Sequence, residues 1–297
     1  MTDQVLPFHT DASNLRGRLV RLGPSLNHVL SSHHYPEPVA RLLGETLVLA
    51  VALASTLKYD GVFTLQIKGD GPVNLIVADV FGTKDPGESP GGRVVRGYAR
   101  YNAAPALRMA TDPYMPPLAL LGKGWLAFTV DQGTDCERYQ GIVALTGTTL
   151  ADCIEHYFHQ SDQLPTGIQL AVASDGECWR GSALLLQILP SGNENGDGDN
   201  KDDWRRAQAL LATVGPSELL DSGLADADLL YRLFHEDGVR VFAPLKLRHG
   251  CRCSRDRVEA MMSTLSPSEI KSLREDGDIQ VNCEFCNTTY IFSDAMG

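Results

Sequence analysis

The sequence has no long apolar run and a shortage of basic charge. Its longest uninterrupted apolar stretch covers residues 47–54, far short of the about 20 residues that span a bilayer. The start, Met1 to Pro7, has no basic segment followed by an apolar one, so we expect no secretory signal. Acidic residues outnumber basic ones by 37 to 26, a net charge of −11, which argues against general affinity for nucleic acid or anionic membranes. These absences predict a soluble cytoplasmic protein.

Residues arranged for catalysis are also lacking. We find no Ser/His/Asp arrangement and no carboxylate pair with suitable spacing, so we predict no enzyme and assign no catalytic residue. Gly69 and Gly71 lack the following glycine and helix of a nucleotide loop, and a hairpin turn accounts for them better. His156 and His159 lie three apart on a predicted helix without a third ligand nearby, which favours polar helix positions over a metal site.

Cysteine is present in an informative pattern. Four of the seven cysteines form two close pairs: Cys251, Cys253, Cys283 and Cys286. Four thiolates complete the tetrahedral shell that Zn²⁺ prefers, so the pairs predict one structural zinc ion. If residues 247–253 run extended, the two sulfurs of the first pair face the same side and reach one metal. Cys136, Cys153 and Cys178 are isolated and are expected to be half-buried small hydrophobes.

The segment between the cysteine pairs carries signals for a folded unit. Ser254 can cap a helix whose apolar residues fall at helical spacing, namely Val258, Met261, Met262 and Leu265. We expect the stripe Met261, Met262 and Leu265 to form the core of this unit. Residues 266–269 form a capping box with Pro267 at the first helical position, and this second helix should stop near residues 276–277. Residues 279–283 alternate as a strand with residues 289–292 as its hairpin partner, and Asn287 suits a left-handed turn.

Upstream, predicted strands are joined mostly to strands. They cover residues 15–22, 63–67, 73–80, 94–101, 125–131, 138–145, 168–173 and 182–189. Predicted helices begin at Pro24 and Pro36, the second continuing its apolar face to Leu57, and a third spans residues 150–160. Stretches rich in Gly and Pro at residues 82–92 and 112–117 predict loops. Strands grouped apart from helices indicate an α+β domain with a largely antiparallel sheet.

The composition changes at residue 190. Residues 190–203 contain no apolar side chain other than proline and are predicted to form a linker or disordered hinge. Two or three short helices follow, with more apolar surface than they can bury themselves: Ala209, Leu210, Val214, Leu219, Leu220, Leu229, Leu230, Leu233 and Phe234. We expect them to pack on neighbouring domains. The predicted division is therefore an α+β domain at 1–190, a hinge and helical linker at 191–245, and a zinc-binding domain at 246–297.

Several motifs are familiar together. They are Leu43-Gly-Glu45, residues 56–61, 69–73, 95–100, 138–143, 155–158, 161–165 and 230–235, then Cys251-x-Cys253-Ser-Arg255 and Cys283-Glu-Phe-Cys286. With these motifs the chain resembles, over nearly its whole length, the bacterial redox-regulated chaperone family known as heat-shock protein 33. Two departures are Asn287, where glycine is more usual, and a longer polar run at residues 191–203.

The resemblance implies a function in stress response. It implies a holdase that is inactive when reduced and zinc-bound, and that binds unfolding client proteins once oxidants form disulfides among Cys251, Cys253, Cys283 and Cys286 and expel the metal. It also raises a homodimer of the oxidised form. On oxidation we expect neighbours to join, Cys251 with Cys253 and Cys283 with Cys286, because each released pair is already local.

Other classes of zinc protein fit less well. A nucleic-acid-binding ribbon needs a basic face, but residues 246–297 hold seven Lys/Arg against eight Asp/Glu. A zinc hydrolase keeps an open coordination position, and a thioredoxin-like protein places C-x-x-C at the start of a helix. A permanent structural zinc domain acting as an interaction module remains the alternative. Against it stand the C-x-C pair and four cations that favour reactive thiolates: Arg248, Arg252, Arg255 and Arg257.

Overall fold

The computed structural model describes residues 1–82, 92–109, 116–132, 139–188, 197–275 and 278–293. The strands are β1 (Gln4–Thr10), β2 (Leu15–Leu22), β3 (Val62–Gly69), β4 (Val73–Gly82), β5 (Arg93–Tyr101), β6 (Gly124–Asp131), β7 (Tyr139–Ala144), β8 (Thr166–Ser174), β9 (Trp179–Ile188), β10 (Val239–Val241), β11 (Leu245–His249), β12 (Arg274–Glu275), β13 (Asp278–Asn282) and β14 (Thr289–Phe292). The helices are α1 (Pro24–Ser31), α2 (Glu37–Ala54), α3 (Ala103–Met109), α4 (Leu150–Tyr157), α5 (Asp197–Thr213), α6 (Pro216–Leu220), α7 (Asp226–Phe234), α8 (Arg255–Met262) and α9 (Pro267–Ser272). Cys136 and most of the loops predicted at 82–92 and 112–117 lie outside the described residues.

Among the described residues, β1 to β11 form one eleven-stranded sheet. Its order is β7-β6-β3-β4-β5-β11-β1-β2-β9-β8, with β10 paired to β1. Every neighbouring pair in this order is antiparallel except β11 with β5, which is parallel. The α+β class with a mostly antiparallel sheet is therefore confirmed.

Helix α2 is the centre of the main core. Fourteen of its 18 residues are buried, because it contacts strands from both halves of the sheet, β3–β5 on one side and β2, β8 and β9 on the other. Alternation in β3 supplies the facing surface: Phe63, Leu65 and Ile67 are fully buried. The helix ends at Ala54, and Leu57 lies beyond it, partly exposed. Gly69 ends β3 and Gly71 lies in the turn between β3 and β4, as the hairpin prediction requires.

The three helices of the predicted linker cover a second apolar surface of the same sheet. Leu211, Leu219, Leu230 and Phe234 are buried with sheet residues that include Phe8, Leu19, Leu184 and Leu186. The Phe8 and Phe234 rings stack with centroids 5.7 Å apart. Their packing partner is therefore the large sheet, which answers the question of where their apolar side chains go.

One ion pair holds α7 on the sheet, and a second joins α5 to Asp237, just beyond the end of α7. Arg21 of β2 is only 3% exposed, and its Nε donates to Asp226 Oδ1 of α7 at 2.8 Å. Gln4 of β1 donates to the other oxygen of Asp226 at 2.8 Å. Arg206 of α5 pairs with the buried Asp237. Since a buried charge is costly without its partner, these pairs help to specify the docked position.

Two local predictions need correction, and elements such as β1 and α3 were not predicted. Strand β1 was not predicted, because Pro7 breaks the strand pattern; Pro7 lies where the partner of β1 changes from β11 to β10. Residues 197–203 are helical, although their composition predicted a hinge, and i,i+3 ion pairs join Asp202 to Arg205 and Asp203 to Arg206. Helix α3 was missed. Helix α9 ends at Ser272, short of the predicted stop.

The chain forms two compact units, residues 1–249 and 250–297. Strand β11 ends at His249, so residues 246–249 lie in the first unit. The division into an N-terminal domain, a linker and a zinc domain stays a prediction. Among the described helices, none combines the length and the apolar character that crossing a membrane requires.

We expect Phe234→Ala to loosen α5–α7 from the sheet. Phe234 is fully buried, and truncating such a ring costs about 3–5 kcal/mol because of lost burial and the cavity left behind. Hydrogen exchange of α5–α7 amides should speed up. Tyr231→Ala is the matched control, because Tyr231 lies on the same helix and is 63% exposed. Equal protection of the two variants would contradict the docking role of Phe234.

Candidate metal centre

The second unit has a very small core. Only Met262, Ile279 and Phe292 are buried among its described residues. Val258, Ile270, Val281 and Tyr290 pack against them and remain partly exposed. Met261 is 50% exposed, so its predicted core position is wrong. Val258 and Met262, four apart, lie on the inward side of α8, and so thin a core leaves no cover for Met261.

Local capping builds the frame around the cysteines. The Ser254 hydroxyl accepts from the Arg257 N–H at 3.3 Å and begins α8. Ser266 and Glu269 form both bonds of a capping box at the start of α9. Both predicted helix starts are confirmed. Strand β11 covers the first part of the predicted extended run, Leu247 to His249, and residues 250–254 lie in no helix or strand.

The hairpin between β13 and β14 carries the second cysteine pair. Asn287 has φ +56°, the left-handed conformation predicted for it. Its N–H donates to the Cys283 carbonyl at 2.8 Å, and the Cys283 N–H donates to the Thr288 carbonyl at 2.9 Å. These bonds close a tight turn, which brings the side chains of Cys283 and Cys286 together.

The structure brings the four half-buried cysteines together. The Sγ atoms of Cys251 and Cys283 are 3.6 Å apart, and those of Cys253 and Cys286 are 3.4 Å apart. All four sulfurs lie within 4.8 Å of one another. A tetrahedral ion with four Zn–S bonds of about 2.3 Å requires sulfurs about 3.8 Å apart. The cluster therefore fits a zinc ion in a closed shell.

Hydrogen bonds make the four thiols unequal. Burial by itself raises the pKa of Cys286, but bonds from the Thr288 side chain and amide outweigh it and lower the pKa to about 7. Burial, together with the neighbouring sulfurs, raises the pKa of Cys253 to about 12. The Tyr290 hydroxyl donates to Cys253 Sγ at 3.1 Å, which raises the tyrosine pKa to about 12. A coordinated metal ion deprotonates thiols outright, so all four sulfurs can act as thiolate ligands.

Sequence reasoning missed the two hydroxyls at this site. Thr288 and Tyr290 follow Cys286 by two and four residues, but only the fold shows that Tyr290 reaches Cys253. Of the four arginines predicted to favour reactive thiolates, Arg255 makes contacts with β14. Arg255 lies over the Phe292 ring at 4.3 Å and donates to the Ile291 carbonyl, which ties α8 to β14.

The remaining candidates from the sequence do not belong to the group of four cysteines. His156 and His159 line an open cavity of about 460 Å³, and among the described residues only the four cysteines group their ligand atoms closely enough for a metal. Cys153 is fully buried and donates to the Thr146 carbonyl at 3.0 Å. Cys178 is exposed, so the half-buried prediction is wrong for it: its N–H is held by Asp175 in the turn between β8 and β9.

Fold and site define a class: an α+β protein with a large antiparallel sheet and a separate small unit built on four cysteines able to hold one metal ion. The model of the Hsp33 protein family matches residues 3–293. A 33 kDa chaperonin of Caulobacter vibrioides is 40% identical over 98% of this chain and 94% of its own length. One of Pseudomonas fluorescens is 40% identical over 99% of this chain and 92% of its own. The chain belongs to the Hsp33 family of chaperones.

A solved structure has the same fold. The crystal structure of a 33 kDa chaperonin, a heat shock protein 33 homolog from Thermotoga maritima, has a TM-score of 0.78 at 21% identity. The match covers 98% of this chain and 95% of that one.

If the four sulfurs bind one Zn²⁺, as their spacing favours, each single Cys→Ser change should abolish tight binding. A hydroxyl is a poor substitute for a thiolate, and the shell then opens to water. Zinc content of Cys251→Ser, Cys253→Ser, Cys283→Ser and Cys286→Ser after dialysis against a chelator measures this. Cys178→Ser is the control and should keep its zinc. Full retention in Cys253→Ser or Cys286→Ser would contradict four-sulfur ligation.

Proposed function

We propose that this protein is a redox-regulated holdase, inactive when reduced and zinc-bound and active when its cysteines are oxidised. The observation that carries the proposal is a cluster of four sulfurs, all within 4.8 Å, in a unit with only three buried apolar side chains among its described residues. Membership of a chaperone family supports client binding. The thiolate chemistry of the cluster supports redox control.

The metal would be Zn²⁺, held by Cys251, Cys253, Cys283 and Cys286. When bound, it supplies a closed structural shell rather than a catalytic site. Structural zinc contributes on the order of 10–16 kcal/mol of coupled binding and folding energy, whereas folded domains hold a margin of only about 5–15 kcal/mol. The second unit would therefore lose its fold when the cysteines no longer hold the zinc ion.

Oxidation would remove those ligands. With a peroxide as oxidant, each disulfide consumes two thiolates and one peroxide and yields two hydroxide ions. The two sulfurs share a new bond while the O–O bond breaks. Disulfide sulfurs no longer carry the charge that holds Zn²⁺, so the ion leaves.

The client surface would lie beneath α5–α7. These helices pack on the large sheet, and the chain connects them to the cysteines through β10 and β11. Disorder that begins at Gly250 reaches β11 first, then β10, then α7. Lifting the helices would expose apolar residues on both their own faces and the sheet. A large exposed apolar surface binds other unfolded chains.

The partners would be unfolding or aggregation-prone proteins, with a homodimer as a further state of the oxidised form. The net charge of −11 opposes binding to nucleic acid and anionic membranes. The mechanism uses no ATP and no catalytic residue. We place it in the cytoplasm, where thiols are kept reduced until oxidative stress.

We expect three changes to occur together on oxidation: zinc is released, the amides of residues 204–293 lose their protection from hydrogen exchange, and client binding begins. Hydrogen exchange, a zinc indicator and suppression of aggregation of an unfolding client measure the three changes on the full chain. Cys178→Ser should behave like the wild type, because that thiol lies outside the cluster. If residues 204–293 stay protected while client binding begins, local unfolding is the wrong mechanism. Zinc retained throughout oxidation would instead favour a permanent structural zinc module.

We also expect neighbouring cysteines to pair. In the folded cluster Cys251 contacts Cys283 and Cys253 contacts Cys286, residues 32 and 33 positions apart. Closing such long loops costs more entropy than joining local pairs once the unit unfolds. The Cys251–Cys253 bond spans a short separation and should be strained and easily reduced. Peptide mapping of Cys251→Ser tests this: a Cys283–Cys286 disulfide should still form. Mainly Cys253–Cys286 bonds in the wild type would contradict it.

A further inference from the structure

Tyr290 links the two halves of the cysteine cluster. It lies on β14, opposite Val281 of β13, and its ring packs against the small core of Met262, Ile279 and Phe292. Its hydroxyl donates to Cys253 Sγ at 3.1 Å. Cys253 belongs to the first cysteine pair, whereas Tyr290 follows the second. This bond joins residues 37 positions apart.

The sulfur that Tyr290 contacts also lies against a sulfur of the second cysteine pair. Cys253 Sγ lies 3.4 Å from Cys286 Sγ, and Cys286 Sγ lies 3.2 Å from the Thr288 hydroxyl. Each of these two sulfurs therefore has a side-chain hydroxyl as neighbour. The Thr288 contact is local in sequence, while the Tyr290 contact depends on the folded hairpin and its core.

We propose that Tyr290 is a positioning residue that holds the Cys253 thiolate in the cluster and slows its attack on peroxides. The inference rests on the proposed function. In the oxidation step a thiolate lone pair attacks one peroxide oxygen, the O–O bond breaks, and a sulfenic acid and a hydroxide ion form. A second thiolate then displaces hydroxide from the sulfenic acid to make the disulfide. When a hydroxyl donates a hydrogen bond to the sulfur, it withdraws electron density from that lone pair, and the thiolate becomes a weaker nucleophile.

Tyr290→Phe isolates this hydrogen bond because it keeps the ring in the core. Outer-shell partners of metal ligands typically contribute about 10–100-fold to affinity, so zinc binding by the full chain in competition with a chelator should weaken by at least about tenfold. Zinc release by hydrogen peroxide should be about three- to tenfold faster, since hydrogen bonds to charged groups are strong. In the cobalt-substituted protein, the sulfur-to-metal charge-transfer band should move to lower energy, a change that a purely structural role would not cause.

Two further variants serve as controls, one at another tyrosine and one at Tyr290 itself. Tyr231→Phe removes a phenol hydroxyl from an exposed side chain of α7 and should match the wild type in all three measurements. Replacement of Tyr290 by 3-fluorotyrosine keeps the ring and strengthens the donor, so it should slow zinc release and shift the band the opposite way. This variant decides the question if Tyr290→Phe fails to fold.

The outcomes separate this inference from the function it rests on. Wild-type protein that binds no zinc, or keeps it under peroxide, would remove the proposed function. Wild-type protein that releases zinc, with an unchanged affinity, rate and band position in both Tyr290 variants, would overturn only the role of Tyr290. Opposite shifts in the two variants would support that role.

Discussion

The four-sulfur cluster is the constraint on which the second unit depends. Three buried side chains among its described residues provide too little apolar burial for a chain of this length to fold independently. The caps at Ser254 and Ser266 and the turn at Asn287 are each local devices. Their combined effect is to bring four sulfurs within reach of one ion. In the function proposed above, the unit stays folded only while these cysteines hold the metal, which ties its stability to the chemistry of sulfur.

The large unit has two apolar sheet surfaces, and each is covered by helices. Its sheet buries one surface against α2, and a second surface needs the helices α5–α7 as a cover. That cover is held by apolar packing around Phe234 and by the pair of the buried Arg21 with the partly buried Asp226. A buried ion pair adds little net stability but penalises misplaced docking. The helices therefore have one well-defined docked position, and undocking them would expose apolar residues of both the helices and the sheet.

Local signals were the part of the structure that could be predicted. Strand β2, the helix start at Pro24, the capping box at Ser266 and the left-handed Asn287 all agree with the structure. Each depends on side chains within a few residues of one another. Predictions failed where distant partners decide: β1 pairs with β2, β10 and β11 in spite of Pro7. Met261 is exposed because the described residues of the unit provide no second layer to cover it.

The sequence by itself determined which four cysteines could hold a metal ion, and the class of fold. Spacing of the cysteines limits which metal chemistry is available, and hydrophobic periodicity selects an α+β domain. Only the tertiary structure decided where the linker helices pack, that β11 enters the sheet in parallel beside β5, and that the Tyr290 hydroxyl reaches Cys253. The physical reason is range. Caps, turns and spacings are local interactions, whereas sheet order and contacts across the cysteine cluster join residues far apart in the chain, and the cost of closing those loops is met only by the complete fold.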